Sequence, residues 1–248
     1  MNNKLSKIAE IVHQYLPDSY TAAVIVAAGA STRMEGLNKQ LYNLCGKPVL
    51  AHTLLSYQSC PLIHEIVVVT RPEDFEAVAE MKKTYGITKL TQLAAGGATR
   101  QESVKKGIAK LGAKVKYVAI ADGARCLTTP AQITKVCIQA YSHKAACAAH
   151  LISDTVKRAS ILGTVTESVD RTGLWQVQTP QVFHTALYHA ALIKAEKDKL
   201  SVTDDSSLIE HLGYQVRLVE CGQSNIKITT PEDLPLATAV LNYRKAKK

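Results

Sequence analysis

Cations and one carboxylate stand out in this sequence because each follows a run that reads as a buried strand. The first such stretch is Ala27-Ala28-Gly29-Ala30-Ser31-Thr32-Arg33-Met34-Glu35-Gly36-Leu37-Asn38-Lys39-Gln40. Small residues let backbone N–H groups approach a phosphate closely, and Arg33 and Lys39 add positive charge. No Gly-Lys-Ser/Thr ending follows, so this is not a P-loop, and the GxGxxG spacing of a dinucleotide fingerprint is missing. The same pattern also suits a tight turn with two exposed cations.

A second stretch, Gly96-Gly97-Ala98-Thr99-Arg100-Gln101-Glu102-Ser103-Val104, lies between a predicted strand and a predicted helix. Gly-Gly permits a positive-φ turn, and Ser103 in the first helical turn would face back to the same strand edge. Without a ligand it reads as an ordinary loop and helix start. The third is Asp122-Gly123-Ala124-Arg125. A carboxylate at a strand end can hold Mg²⁺ through oxygen while phosphates supply further ligands. Alone, the tetrapeptide reads equally as a capping Asp beside a surface Arg. Three small-residue loops carrying Arg or Lys at one sheet edge point together to a phosphate-rich ligand such as a nucleotide.

Further candidates lie downstream in Asp154–Arg158, Asp170–Trp175, Gln178–Gln181, Thr203–Ser206 and Asn225–Lys227. Trp175, the sole tryptophan, reads as a packing anchor rather than a base-stacking platform. His143, Cys147 and His150 would share a helix face, but Ala145–His150 reads as strand, which splits the set and argues against zinc. No GxSxG elbow is present, and no histidine is paired locally with Ser or Cys in a nucleophile motif.

The elements that must position these loops alternate. Strands are predicted at Thr21–Ala27, Glu65–Thr70, Thr88–Leu93, Val115–Ala121 and Ala145–His150. Between them helices are predicted at Val49–Ser59, Glu73–Thr84, Gln101–Leu111 and Pro130–Tyr141. This predicts an α/β fold, a Rossmann-like and mostly parallel sheet with helices on both faces. Residues 151–183 break the rhythm and read as a projecting β-arm. Helices at Thr185–Lys197 and Asp204–His211 follow, then strands at Gln215–Glu220 and Ile226–Thr229, and a closing helix at Pro231–Tyr243. In front stands a short amphipathic helix (Leu5, Ile8, Ala9, Val12, Tyr15, Leu16) ended by Pro17-Asp18. The division expected is residues 1–20 for that helix, 21–243 for one single domain with the β-arm, and 244–248 for a basic tail.

At 248 residues and 46% hydrophobic, the composition is globular. No apolar run approaches the roughly 18 residues of a membrane span, and the N-terminus lacks a signal-type apolar stretch, so the reading is a soluble, cytoplasmic protein with no membrane partner. The six cysteines have no CxxC spacing and read as buried or half-buried thiols. The formal charge is +9, of which the last five residues carry +4. The remainder suits an anionic ligand, and a nucleic-acid binder would rest on that charge alone.

Taken in order, AAGASTRM…KQ, GGATRQESV, DGAR, SDTVKRA, VDRTGLWQVQTPQVF, TDDSSLIE and NIKITTPEDL resemble the 2-C-methyl-D-erythritol 4-phosphate cytidylyltransferases of the sugar-nucleotidyltransferase type, from about Thr21 to Tyr243. The resemblance implies transfer of a cytidylyl group from CTP to 2-C-methyl-D-erythritol 4-phosphate with release of pyrophosphate. It implies catalytic roles for Arg33, Lys39 and Lys227, and nucleotide contacts at Ala28, Gly29, Ala30, Gly97 and Ser103. Asp122 would support Mg²⁺ or another divalent cation. Arg125, Thr155, Arg171, Thr179 and Thr203 would serve the polyol phosphate, with Arg171 reaching across a homodimer through the β-arm. No nucleic-acid partner is implied. The chain departs from the family pattern at Ser31, usually Gly, at Asn38, usually Pro, and in DGAR, usually His-Asp-Ala-Ala-Arg-Pro. Those departures keep two alternatives in view: a cytidylyltransferase for another polyol such as ribitol 5-phosphate, and a catalytically weak nucleotide-binding homologue.

Overall fold

Short apolar strands that must be covered on both faces recruit helices to both, and the computed structural model, which describes residues 2–15 and 19–247, is built that way. The elements are α1 (Asn2–Tyr15), β1 (Thr21–Val26), β2 (Asn43–Leu44), β3 (Lys47–Pro48), α2 (Val49–Gln58), β4 (Glu65–Thr70), α3 (Phe75–Thr84), β5 (Leu90–Ala95), α4 (Arg100–Ile108), β6 (Tyr117–Asp122), α5 (Pro130–His143) and β7 (Ala145–Leu151). After them come β8 (Val156–Ala159), β9 (Val165–Val169), β10 (Trp175–His184), α6 (Thr185–Lys197), α7 (Ser206–His211), β11 (Arg217–Glu220) and α8 (Asp233–Ala246).

Seven strands form one sheet in the order β11-β7-β10-β6-β1-β4-β5. All neighbours are parallel except β10, which runs antiparallel between β6 and β7. Alternation along β1 sends Ala23 and Ile25 to one face and Val24 to the other. The first face is covered by α2, α3 and α5, and the second by α4, α6 and α7. Helix α4 lies so close to the sheet that a Cβ on Gly107 would stand 2.5 Å from Val24 Cγ1 and 2.7 Å from Val69 Cγ2. Only glycine allows that approach, which fixes the start of α4, and with it Arg100 and Ser103, against the strand ends.

Several expectations change. The segment 175–184 is not part of a projecting arm; it is β10, a strand inside the main sheet, so the arm of 151–183 shrinks to the β8–β9 hairpin and its flanks. Polar Gln176, Gln178 and Gln181 and a proline disguise the strand, and Pro180 is tolerated because it sits in the bulge between Val177 and Gln181. Ile226–Thr229 is not a strand; it runs as irregular chain beside the DGAR loop, with Ile228 N donating to Ala124 O at 2.9 Å. Helix α3 begins after a 3-10 turn at Pro72–Asp74, and α7 begins at Ser206 rather than Asp204. The basic tail continues α8, where Arg244 is half-buried and donates to Leu127 O at 2.6 Å. Helix α1 packs toward α5 through a half-buried Val12, while its expected end at Pro17-Asp18 lies outside the described residues. Five cysteines are buried, Cys45 is half-exposed and all six are free. Among the described residues no helix is long and apolar enough to cross a membrane.

Candidate active site

Parallel pairing puts the C-terminal ends of β1, β4, β5 and β6 on one edge, with Val26 in register with Asp122. The loops leaving those strands therefore meet, as the sequence predicts. Between them opens a cleft of about 400 Å³ whose lining includes Ala28, Gly29, Ala30, Lys39, Gly97 and Asp122. A cluster of Met34, Leu44, Ala124, Leu127, Ile228 and Leu234 locks the first loop and the DGAR turn against α8.

Asp122 is the hub. Its Oδ2 lies 3.1 Å from Lys227 Nζ and 3.4 Å from Arg125 Nε, and its Oδ1 lies 3.6 Å from Arg100 Nε. Its backbone N–H donates to Thr179 Oγ1 at 3.1 Å. Burial alone would push the Asp122 carboxyl up, but Lys227, Arg100 and Arg125 outweigh it and hold the group below the usual carboxylate range. Arg100 in turn pairs with Asp205 at 2.6 Å, and Tyr188 OH donates to the other Asp205 oxygen at 2.6 Å. Burial works against the Arg100 charge, yet Asp205 and Asp122 keep it firmly protonated.

The first loop is arranged differently. Lys39 is half-buried and lines the cleft, and burial, then Lys227, then Arg33 push its ammonium pKa down. Arg33 is exposed on the same loop, near enough to act on Lys39. Ser31, where the family has glycine, holds φ at 55°, in the left-handed region that costs a non-glycine residue. In the DGAR turn, a Cβ on Gly123 would stand 2.9 Å from Gln40 Oε1 and 3.0 Å from Ala27 Cβ, so the glycine suits its tight neighbours.

A second cavity, about 540 Å³, adjoins the first. Arg125, His150, Asp154, Gln178 and Asn225 are among its lining residues, and Lys227 lines both cavities. Arg125 is fixed there by donating to Asn225 O at 2.7 Å.

Ala28, Gly29, Ala30, Lys39, Gly97, Ser103, Asp122 and Lys227 thus come together at the first cavity, and Arg125 at the second. Ser103 Oγ accepts from Gly97 N at 3.0 Å and donates to Thr99 O, so it also shapes the Gly-Gly loop. Thr179 is buried beneath the site and supports Asp122 from below. Arg33, Thr155, Arg171 and Thr203 are exposed and line neither cavity; Arg171 donates to Ser153 O. Sequence reasoning did not single out Arg100, although GGATRQESV contains it and TDDSS supplies its partner Asp205. Their separation of 105 residues hides the pair from any local pattern. Among the described residues no group of three or more His, Cys, Asp or Glu could hold a metal alone, and Cys147 is buried in a strand, apart from His143 at the end of α5.

Comparison with known proteins bears on the fold and the family. The family model for 2-C-methyl-D-erythritol 4-phosphate cytidylyltransferase (IspD) matches residues 21–243. The protein of that name from Syntrophus aciditrophicus is 40% identical over 227 residues, covering 91% of this chain and 97% of its own length. That from Caldanaerobacter subterraneus is 43% identical over 223 residues, covering 89% and 98%. Among solved structures, 4-diphosphocytidyl-2C-methyl-D-erythritol synthase from Anaerococcus prevotii superposes with a TM-score of 0.79 at 30% identity, over 91% of this chain and 99% of that one. With a family model matching residues 21–243, relatives about 40% identical over most of both chains and the same fold in solved structures, the chain belongs to the 2-C-methyl-D-erythritol 4-phosphate cytidylyltransferase family.

Proposed function

We propose that the two cavities hold the two substrates of one reaction and that Lys227, common to both, marks where they meet. As a member of its family the chain transfers a cytidylyl group from CTP to 2-C-methyl-D-erythritol 4-phosphate and releases pyrophosphate. The shared lysine is the observation that carries the assignment of substrates to cavities. The first cavity takes CTP, with the open backbone of Ala28, Gly29 and Ala30 toward the phosphates and Gly97 and Ser103 toward the nucleoside. The second takes the polyol phosphate, with Arg125 near its phosphate.

The attacking phosphate oxygen is already ionised near neutrality, because the second phosphate pKa is about 6. No general base is required. The difficulty is bringing a dianion up to a highly charged triphosphate. Lys39 and Arg33 on one side and Lys227 on the other offset that repulsion and stabilise charge that builds on the α-phosphate and the leaving pyrophosphate. Among the described residues Asp122 is the sole carboxylate lining the first cavity, and its Oδ1 stands 3.6 Å from Arg100 Nε. That donor set fits a cation such as Mg²⁺, which takes one or two protein carboxylates and completes its shell with phosphate oxygens and water. Bound at Asp122, the cation would supply further neutralisation of the triphosphate.

A homodimer belongs to the same proposal. Thr155 and Arg171 line neither cavity of their own chain, and the hairpin tip presents Ile161 and Leu162 at 106% and 93% exposure. An apolar tip of this kind suits burial against a second copy, which would carry Thr155 and Arg171 to the partner's polyol site. Six free cysteines agree with a cytoplasmic setting.

The test is pyrophosphate release with CTP and Mg²⁺, assayed in parallel with 2-C-methyl-D-erythritol 4-phosphate and ribitol 5-phosphate. The proposal expects release with the first alcohol, its loss on chelation of the metal, and partial recovery when inactive Arg171→Ala and Lys227→Ala subunits are mixed. CTP binding without release on either alcohol would overturn the substrate assignment. Failure of mixed subunits to recover would overturn the crossed arms.

A further inference from the structure

We infer that His150 is a specificity-determining residue of the second cavity, presenting a fixed Nε2–H donor to a hydroxyl oxygen of the polyol. This rests on the reading of that cavity as the polyol phosphate site. His150 lines the cavity from β7, directly opposite Gln176 on β10. Its ring is not free to choose a tautomer. Asn225 Nδ2 donates to Thr179 O at 2.9 Å, and a carbonyl can only accept, so this atom of the amide is the nitrogen. The same nitrogen donates to Gln178 Oε1 at 3.1 Å, which identifies the oxygen of the second amide. Gln178 Nε2 then donates to Gly222 O at 3.3 Å and to His150 Nδ1 at 3.0 Å.

Two carbonyls thus set the direction of a chain of donors that ends on His150 Nδ1 as an acceptor. The neutral ring must carry its proton on Nε2, and among the described residues no group accepts from that nitrogen. Asn225 is fully buried and Gln178 is 4% exposed, so neither amide can reorient without losing buried hydrogen bonds. The ligand atom is named by what surrounds the ring. Phosphate charge in this cavity is met by Arg125 and Lys227, while His150 stands opposite the uncharged amide of Gln176 and bonds that of Gln178, with Asp154 the one carboxylate among the described lining residues. A neutral N–H among amides selects hydroxyl oxygens by their position.

Steady-state kinetics of His150→Leu and His150→Gln test the inference, with 2-C-methyl-D-erythritol 4-phosphate and ribitol 5-phosphate as alternative acceptors. Loss of one hydrogen bond to the substrate should raise the KM for the methylerythritol phosphate by about 10-fold in His150→Leu and change the ratio of kcat/KM between the two alcohols. The KM for CTP should stay within about twofold, and His150→Gln, which keeps a donor, should recover most of the loss. In the intact protein, ¹⁵N NMR of the imidazole should show the Nε2–H tautomer, and Gln178→Leu should release it. An Nδ1–H tautomer overturns the inference, as does an unchanged ratio between the alcohols or an equal rise in the KM for CTP. Arg125→Ala separates the two levels. If it leaves the polyol phosphate KM unchanged, the cavity assignment fails; if it raises that KM while His150→Leu does not, only the role of His150 fails.

Discussion

The two walls of the first cleft are built by opposite rules. On the wall made by β6 and α4 each charge has a partner: Arg100 joins Asp122 to Asp205, Tyr188 holds Asp205, and Arg125 and Lys227 close on Asp122. On the wall made by residues 27–40, Lys39 sits half-buried among Lys227 and Arg33 with no direct carboxylate partner among the described residues, and Arg33 stands in solvent. A paired wall holds its geometry before any ligand arrives. An unpaired one is short of anions, and a triphosphate supplies them. On the proposed reading the first wall provides shape and the second charge stabilisation, so substitutions should be felt as stability on the first and as rate on the second.

The largest expected effect falls on the paired wall. Arg100→Leu leaves Asp205, 2% exposed, without its cation, and breaking such a buried pair costs about 3–5 kcal/mol. Urea denaturation should show a lower midpoint; an unchanged midpoint would mean the web is ornamental. Next comes Lys39→Ala on the unpaired wall, expected to lower kcat about 100-fold with little change in denaturation midpoint, the scale seen when one preorganised charge is removed. A fall in stability with normal turnover would reverse the contrast.

Lys39 also gives the contrast a pH signature. Its pKa in the free protein lies below the ordinary 10.5 because of burial and neighbouring cations. A bound triphosphate favours the ammonium, so binding takes up a proton once the free protein has begun to lose it. CTP affinity should be full at neutral pH and fall as pH rises through the Lys39 pKa, with onset below 10.5. Lys39→Arg stays charged there, so titration calorimetry should find the alkaline fall removed. The smallest effect belongs to the hairpin. Arg158→Ala breaks an exposed pair with Glu167 at 2.8 Å and should cost at most about 1 kcal/mol in the same denaturation assay.

What could be read from the sequence follows the same division. The unpaired wall is local: small residues and cations directly after a strand announce themselves, and Lys39 and Asp122, which the structure brings to one cavity, can be picked out as candidates without any knowledge of the fold. Parallel strands such as Glu65–Thr70 are near-continuous apolar runs, so their ends and the loops beyond them are also legible. The paired wall depends on partners far apart in the chain. Nothing near Arg100 points to Asp205, and nothing near His150 points to Gln178 and Asn225. Strand β10 was hidden for a related reason, since its polar residues face the site and the Asp204 loop, with Gln181 donating to Asp204 at 3.0 Å, rather than filling the core. Conversely, Ile226–Thr229 alternates like a strand, yet its alternation serves Ile228 in the cluster with Met34 and Leu234 and Lys227 over Asp122 instead of a ladder.

Lys227 belongs to both walls' logic, paired with Asp122 yet shared by the two cavities, and it carries the claim that two polyanions are brought together here. The most direct measurement is pyrophosphate release by Lys227→Ala with both substrates varied. A fall in kcat of about 100-fold, accompanied by weaker binding of both CTP and the polyol phosphate, is the predicted result. Turnover at the unsubstituted rate, or a defect confined to one substrate, would contradict it.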